Sequence, residues 1–459
     1  MGGWPLSLRG GQATINWRGI PYYIGKSIFG SQRWRECLDE VEHSEADELS
    51  ERYLRQLLRH AHDKVPYYRS LGLPDRPLSE YPLLTKEQLR RNPDSLMRTD
   101  LSDHRWRTIT TSGSTGGPLE IVGDLDEKAW FEATETWYLK QLLGTPRWRV
   151  LSESKVRIWH RRKNDRTWKR RAQLFAPRRW LDPGSTLSEQ SLLDYARVIR
   201  RARPSFIWAY PGVLFEIART ATSQNVRMHR PRFIISSGET LHAFMRPVIQ
   251  EAFGCPVYDL YGSAEAGLVA GECRAGNLHV FSFASKVELL DPVGRPVSPG
   301  EEGRLVLTPL HNYAMPLIRF DTADMAQVGH SDCPCGCQLP TLRRITGRTN
   351  EFLVTSSGSL ISGATFYLLL KRCRWIQSYQ VLQRDINQMT VFFNRIAGSD
   401  VLAEDIEMVN EEFASLMGDE CAVDWREVEE IPRTPNGKRP YTRSLVWEAS
   451  LPAGIWEAT

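Results

Sequence analysis

The sequence is short of several features that would place a protein quickly. No stretch of its 459 residues approaches the ~20 consecutive apolar residues that span a bilayer, so a helical membrane protein is excluded. The opening Met-Gly-Gly-Trp-Pro-Leu-Ser-Leu-Arg has no apolar run of the secretory kind, and no export signal is expected. Neither sign of charge dominates. The 59 Lys and Arg against 55 Asp and Glu leave a formal +4, too little for this size to imply a polyanionic partner by itself. Eight cysteines are too few to staple a chain this long. Their clustering points instead to a reducing compartment and a metal, and the expected location is cytoplasmic. Internal repeats and low-complexity segments are also missing. What remains is a globular composition, 41% hydrophobic and 25% charged, with room for a large core and more than one domain.

The most informative stretch that is present runs from Thr110 to Ile121, Thr-Thr-Ser-Gly-Ser-Thr-Gly-Gly-Pro-Leu-Glu-Ile. Gly113, Gly116 and Gly117 let backbone N–H groups turn toward an anion with no Cβ in the way. Thr111, Ser112, Ser114 and Thr115 add hydroxyls. A Walker loop would end in Gly-Lys-Ser/Thr ahead of a helix. Here Gly117 is followed by Pro118 and then by the strand-like Leu119–Val122. The loop therefore reads as a turn between two strands that cradles phosphate without its own lysine, the alternative being a flexible Ser/Gly turn.

The first hundred residues read as a helical cap. Leu49, Tyr53, Leu54, Leu57, Leu58 and Ala61 recur at helical spacing between Glu45 and Val65, and Thr85 with Gln88 has the form of a capping box. Farther on, strands alternate with helices. Phe206–Ala209 leads through Pro211-Gly212 into a helix, and Phe233–Ile235 leads through Ser236–Glu239 into another. Such alternation predicts a parallel sheet flanked by helices, with ligands at the strand C-termini. Lys286–Leu290 and Arg304–Thr308 read as an antiparallel hairpin. After Gly347 come strands around Phe352 and Leu360, a helix near Ala364–Lys371, strands at Ser378–Leu382 and Met389–Asn394, a helix at Val401–Met417 and a strand at Ala422–Glu427. The expected fold is thus α/β. A large domain, residues 1–346, carries the parallel sheet and an antiparallel sub-barrel, and a small α+β domain occupies residues 347–459.

Four further motifs follow the glycine loop in order: Ser237-Gly238-Glu239, Tyr261-Gly262-Ser263-Ala264-Glu265, Arg319-Phe320-Asp321-Thr322-Ala323-Asp324, and Gly347-Arg348 with Asn436-Gly437-Lys438. Singly each is weak: Glu265 could be a solvated carboxylate, Asp324 a turn residue, Lys438 a surface lysine. Together they resemble the adenylate-forming superfamily of acyl-CoA synthetases, and more narrowly the phenylacetate–CoA ligase family in its capsule-biosynthesis-like branch. Leu57–Arg69, Leu-Leu-Arg-His-Ala-His-Asp-Lys-Val-Pro-Tyr-Tyr-Arg, is similar to the same family.

The resemblance implies ATP-dependent activation of a carboxylic acid to an acyl-adenylate, then transfer to the thiol of CoA. Transfer to a carrier protein, amine or hydroxyl is the alternative. It implies that Thr111, Ser112, Gly113, Ser114, Thr115, Gly116 and Gly117 enclose the β- and γ-phosphates of ATP, and that Glu239 borders the adenine and acyl pockets. Tyr261, with Gly262, would line the nucleotide site, Ser263 would contact the α-phosphate, and Glu265 would hold Mg²⁺. Asp324 would bind the ribose hydroxyls, supported by Arg348 at a hinge. Lys438, on a mobile C-terminal domain, would bridge carboxylate and α-phosphate. Trp208, Tyr210, Pro211, Ser236 and Gly238 fall where the family lines the acyl pocket. Their aromatic character suits an aryl or other flat apolar acid, although core packing explains Trp208 equally well. Two departures stand out: the usual acidic pair after Gly-Arg is here Thr349-Asn350-Glu351, and Ala323 replaces a glycine.

Cys273 and His279 are five residues apart, with Cys333-Pro-Cys335 some fifty residues on. That set suits a closed tetrahedral zinc, the alternative being buried thiols beside a surface histidine. Cys337 rivals Cys335 as a ligand. The resemblance implies a structural zinc site. Finally, eleven Lys and Arg lie between Lys155 and Arg179 against the single acid Asp165, interleaved with Trp159 and Trp168. A solvated face with inward tryptophans, a site for CoA phosphates or an acidic carrier, and a nucleic-acid groove all fit this composition. No nucleic-acid partner is expected, and a homodimer is left open.

Overall fold

The structure, a computed structural model, describes residues 32–73, 76–101, 106–110, 120–159, 178–182, 189–330, 332–348, 352–356, 360–362, 366, 369–370, 372–431 and 441–446. The chain divides into two compact units. One runs to Thr322 and includes Ala326–Ile345; the other comprises Ala323–Met325 and the chain from Thr346 onward.

The first unit opens with helices α1 (Gln32–His43), α2 (Ala46–Lys64), α3 (Pro66–Leu71) and α4 (Lys86–Arg91). The α2 stripe expected from the sequence is the buried one: Leu49, Tyr53, Leu54, Leu57, Leu58 and Ala61 all face the core. Thr85 and Gln88 form the reciprocal capping box at the start of α4, with Thr85 N–H 2.8 Å from Gln88 Oε1 and Gln88 N–H 3.2 Å from Thr85 Oγ1. Strands β1 (Trp106–Thr110) and β2 (Glu120–Asp124) pair antiparallel and hold the two ends of the glycine loop in register, Thr110 opposite Glu120. Residues 111–119 themselves lie outside the described residues. Asp124 caps α5 (Leu125–Leu143) by accepting the Glu127 N–H at 2.7 Å, and α6 (Arg147–Ser152) follows.

The rest of the unit is organised by one eleven-stranded sheet. Its parallel part, in the order β4 (Arg178–Leu181), β3 (Lys155–Ile158), β5 (Phe206–Ala209), β6 (Phe233–Ser237) and β7 (Val257–Ser263), alternates with α7 (Glu189–Ala202), α8 (Pro211–Ser223) and α9 (Met245–Phe253). Every residue of β5 and β6 is buried, as strands covered on both faces require. From β7 the sheet turns antiparallel through β8 (Gly267–Glu272) and β9 (Leu278–Val280). It continues through β13 (Thr341–Arg348), β12 (Phe320–Val328), β11 (Glu302–Pro309) and β10 (Ser285–Leu290). The chain leaves β3 toward β4 on one side and returns to β5 on the other. The junction of β3 and β5 is therefore a topological switch point, where α/β sheets open a crevice at the strand C-termini.

In the second unit, β14 (Phe352–Val354) pairs with β15 (Leu360–Ser362). A four-stranded sheet places β16 (Ile376–Asp385) and β17 (Gln388–Arg395) between β18 (Ala422–Glu427) and β19 (Thr442–Ser444). Helix α10 (Ala403–Met417) buries Val409, Phe413 and Met417, and Phe413 stacks on Phe366 at 4.8 Å. Gln383 of β16 is fully buried. Its amide donates to Val354 O at 2.7 Å and accepts from Val354 N–H at 2.9 Å and Ser444 Oγ at 2.7 Å.

The first unit's core encloses the imidazole of His311. His311 stacks on Trp130 at 3.7 Å and meets the edge of Tyr53, while its Nε2 lies 2.7 Å from Phe283 O and donates to it. Burial holds the imidazole at a pKa of about 3, against ~6.5 in an unfolded chain. The unfolded chain therefore takes up this proton first. The stability from this group is intact above pH ~6.5 and lost as pH falls toward the folded value. His311→Phe should flatten the decline in unfolding free energy between about pH 6.5 and 3, measured by urea titration at several pH values. An unchanged slope would contradict the assignment.

Candidate functional site

The switch-point crevice is built from the residues immediately after four parallel strands. Trp159 follows β3, Tyr210 follows β5, Gly238 and Glu239 follow β6, and Tyr261, Gly262 and Ser263 end β7. Trp159 and Tyr210 stack at 4.1 Å with an interplanar angle of 18°. They rest directly on Gly238, whose φ is +86°. A Cβ there would lie 2.6 Å from the Trp159 ring and 2.9 Å from that of Tyr210. Pro211 opens α8, and the next residue, Gly212, donates its N–H to the Glu239 carboxylate at 3.2 Å. The carboxylate thus sits at the positive end of a thirteen-residue helix. A Cβ on Gly212 would come within 2.9 Å of it. Neither Trp159 nor Gly212 was singled out from the sequence as a site residue. The Pro-Gly pair between a strand and a helix was the available signal for Gly212, whereas nothing local marks Trp159.

Other expected pocket residues sit deeper. Ser236 is fully buried, and its hydroxyl has no hydrogen-bond partner among the described residues. Trp208 is packed in the main core with the Arg157 guanidinium 4.0 Å from its ring centre. Lys155 pairs with Glu135 at 2.6 Å, both largely buried. Lys155 is therefore an interior group and Arg157 a half-buried one, while Trp180, at 38% exposure, faces outward. Residues 160–177 lie outside the described residues.

The β7–β8 hairpin presents the Tyr-Gly-Ser-Ala-Glu motif. Its register slips between Tyr261 and Gly262, and a Cβ on Gly262 would lie 2.5 Å from Gly267 O, so the two strands close there without room for a side chain. Ser263 Oγ accepts the Ala266 N–H at 3.1 Å, fixing the turn that carries the half-buried Glu265. Behind the hairpin, Glu272 accepts from Asp259 N–H at 2.7 Å and from Arg246 at 2.8 Å. Burial and the neighbouring Glu272 push the Asp259 carboxyl up to about 7.

The Arg319–Asp324 motif is buried apart from the half-buried Ala323. Arg319, with φ of 52°, forms a two-pronged pair with Glu288 at 3.0 and 3.1 Å and donates to Tyr81 O at 2.8 Å. Asp321 pairs with Arg304 at 3.2 Å, and its N–H bonds Leu84 O. Asp324, on β12, is buried to 9% exposure. Arg348 closes β13; its side chain, the glycine loop 111–117 and Lys438 fall outside the described side chains.

Cys273, His279, Cys333 and Cys335 come together with their ligand atoms all within 4.8 Å of one another. Cys273 Sγ is 3.6 Å from Cys333 Sγ, and Cys335 Sγ is 3.2 Å from His279 Nε2. His279 Nδ1 lies 3.0 Å from Leu339 O, so the ring donates there and turns Nε2 toward the cysteine sulfurs. Backbone N–H groups of Ala275 and Cys337 each reach a sulfur at 3.4 Å, and Asn277 reaches Cys333 Sγ at 3.3 Å. Such donors stabilise thiolates. The set can hold a tetrahedral metal ion, with Cys335 inside it and Cys337 serving through its main chain.

Residues 353–444 match the family model described as the CapK C-terminal domain. The chain is 23% identical over 375 residues to Protein CapK of Staphylococcus aureus, covering 79% of each. It is 24% identical over 398 residues to the phenylacetate-coenzyme A ligase of Thermus thermophilus, covering 78% of this chain and 84% of that one. In fold it resembles 2-hydroxyisobutyryl-CoA ligase in the postadenylation state, with a TM-score of 0.66 and 16% identity over 86% of this chain and 89% of that chain. An anthranilate CoA ligase in complex with anthranoyl-AMP gives a TM-score of 0.51 at 17% identity, covering 77% and 69%. The chain is thus similar in sequence to CapK and to phenylacetate-coenzyme A ligases, and it shares the fold of the solved acyl-CoA ligases.

The closeness of Trp159 and Tyr210 to Gly238 has a measurable consequence. Gly238→Ala combines an unfavourable positive φ with a collision, and should destabilise the protein by roughly 1–3 kcal/mol. Urea unfolding followed by tryptophan fluorescence checks this. Wild-type stability in the variant would show that the aromatic pair does not rest on that backbone.

Proposed function

We propose that the chain is an ATP-dependent, AMP-forming acid–thiol ligase that activates a carboxylic acid as its acyl-adenylate and passes the acyl group to CoA. The observation that carries the proposal is the convergence, at one switch point, of Gly238-Glu239 and the Tyr261–Glu265 hairpin, in a chain similar along most of its length to phenylacetate-coenzyme A ligases. A stacked pair of aromatic rings beside Gly238 favours an aryl or other flat apolar acid.

The chemistry sets the requirements. A carboxylate is ionised at neutral pH and needs no general base. Its oxygen attacks the α-phosphorus of ATP, the bond to the bridging oxygen breaks, and pyrophosphate leaves. The thiol then attacks the acyl carbon and AMP leaves. Both partners of the first step are anions, so the protein's task is positioning and neutralisation. Backbone and hydroxyl donors of Thr111–Gly117 would hold the β- and γ-phosphates, and Ser263 the α-phosphate. Asp324 and Arg348 would fix the ribose, and Lys438 would span the two reacting anions. Mg²⁺ held by Glu265 would add positive charge at the phosphates.

The four-ligand cluster is proposed to hold a structural zinc through Cys273, His279, Cys333 and Cys335. It has no ligand position left over for chemistry, and it ties the β8–β9 connection to the segment before β13. A cytoplasmic setting fits its free thiols.

Organic-acid-dependent ATP–pyrophosphate exchange tests the function, and Lys438→Ala tests the division of labour. The variant should lose exchange by a hundredfold or more while still forming thioester from a supplied acyl-adenylate. Undiminished exchange in the variant would remove Lys438 from the first step, and no exchange with any acid in a broad panel would remove the function. For the metal, elemental analysis of protein purified without chelators should find one zinc per chain. Stripping it, or Cys335→Ser, should lower the unfolding midpoint by several degrees. Metal-free protein of unchanged stability would refute the site.

A further inference from the structure

Trp159 stands in the switch-point crevice but has no part in the chemistry described above. We infer that its indole sets the size limit of the acyl group, an inference that rests on the ligase reading and adds a specificity-determining residue to it. The ends of β3, β5 and β6 lie side by side, with Ile158 beside Ala209 and Ala209 beside Ser236. Trp159, Tyr210 and Ser237 are therefore the next residues on three neighbouring strands. The two rings stack at 4.1 Å. The residue after Ser237 has no side chain to hold them off: a Cβ on Gly238 would lie 2.6 Å from the Trp159 ring and 2.9 Å from that of Tyr210. Not even a methyl group fits between the rings and this strand end, so no acyl chain passes there. An acid lying in the crevice has to stop at the rings.

Of the two rings, the indole belongs to the residue that keeps accessible surface. Tyr210 is 5% exposed, whereas Trp159 is half-buried. The main chain fixes where the indole stands. Trp159 N–H donates to Leu181 O at 2.9 Å, and the Trp159 carbonyl accepts the Trp180 Nε1–H at 2.7 Å. Both bonds tie the residue to β4, the neighbouring edge strand. Only two side-chain torsions are left to the indole, and the stack on Tyr210 restrains them. A wall held in this way discriminates by bulk, at roughly tenfold or more for each methylene it excludes. Trimming the indole while leaving the main chain in place would deepen the crevice by the space of a ring.

The test is ATP–pyrophosphate exchange by the full chain across acids graded in size, straight-chain acids from acetate to dodecanoate and aryl acids from benzoate to biphenyl-4-carboxylate. The wild-type protein should show a size beyond which kcat/KM falls away. Trp159→Ala should move that limit upward, raising kcat/KM for the first rejected acid by about tenfold or more relative to the best wild-type acid. Trp159→Phe, which keeps a smaller ring in the stack, should place the limit between the two. Lost stability alone would lower exchange with every acid together and leave their order intact, so the order is the readout. Should Trp159→Ala fail to fold, Trp159→Phe still decides by the same shift. An unmoved limit in the folded variants, or no limit in the wild type, would overturn the inference and leave the ligase reading standing. Exchange missing with every acid, in wild type and variants alike, would overturn the ligase reading and the inference with it.

Discussion

The crevice depends on backbone approaching where no side chain fits. At Gly212, Gly238 and Gly262 a single added carbon would meet a neighbour at 2.9, 2.6 and 2.5 Å, closer than atoms in a packed interior tolerate. These contacts draw the ends of β5, β6 and β7 together. They let Trp159 and Tyr210 lie flat on a strand terminus, and they bring the Glu239 carboxylate onto the first turn of α8. The side chains that would do chemistry are positioned by this closeness, because β5 and β6, buried along their whole length, hold their ends fixed.

A second layer of ion pairs holds the site's frame from behind. Arg319 with Glu288, Asp321 with Arg304, and Arg246 with Glu272 are each largely or partly buried. Each ties one strand of the sheet to another strand, a helix or a loop. Removing one partner of such a pair strands the other in a low-dielectric setting, a far larger penalty than pairing contributes at a surface. Arg319 and Asp321 of the Arg-Phe-Asp-Thr-Ala-Asp motif are therefore scaffold.

Much of this was legible in the sequence, and the parts that were not share a cause. Helix α2 was readable because six apolar residues repeat on one face, and the α4 cap because Thr85 and Gln88 stand at a fixed offset. The parallel strands were visible as short apolar runs followed by Gly-rich turns. The cysteine and histidine spacing suggested four metal ligands, and the geometry brings Cys335 rather than Cys337 into their company. The stack of Trp159 on Tyr210, the burial of Lys155, and the join of parallel and antiparallel strands into one sheet were not readable. Each depends on strands distant in sequence lying side by side, and spacing along the chain carries no signal of that. A run of positive charge looks solvated until an interior glutamate and an indole are found beside it.

One buried amide has a mechanical corollary. Gln383 grips the main chain of Val354 from both sides while its oxygen also receives Ser444. Val354 follows the Gly347-Arg348 junction by a few residues, and Ser444 comes shortly after Asn436-Gly437-Lys438. Strands β14 and β19 of the smaller unit are thereby riveted to the same rung of β16. Any displacement of β14 is passed to β16 and β19 without slack, so this glutamine works as a linkage rod rather than as one more filled position in a core.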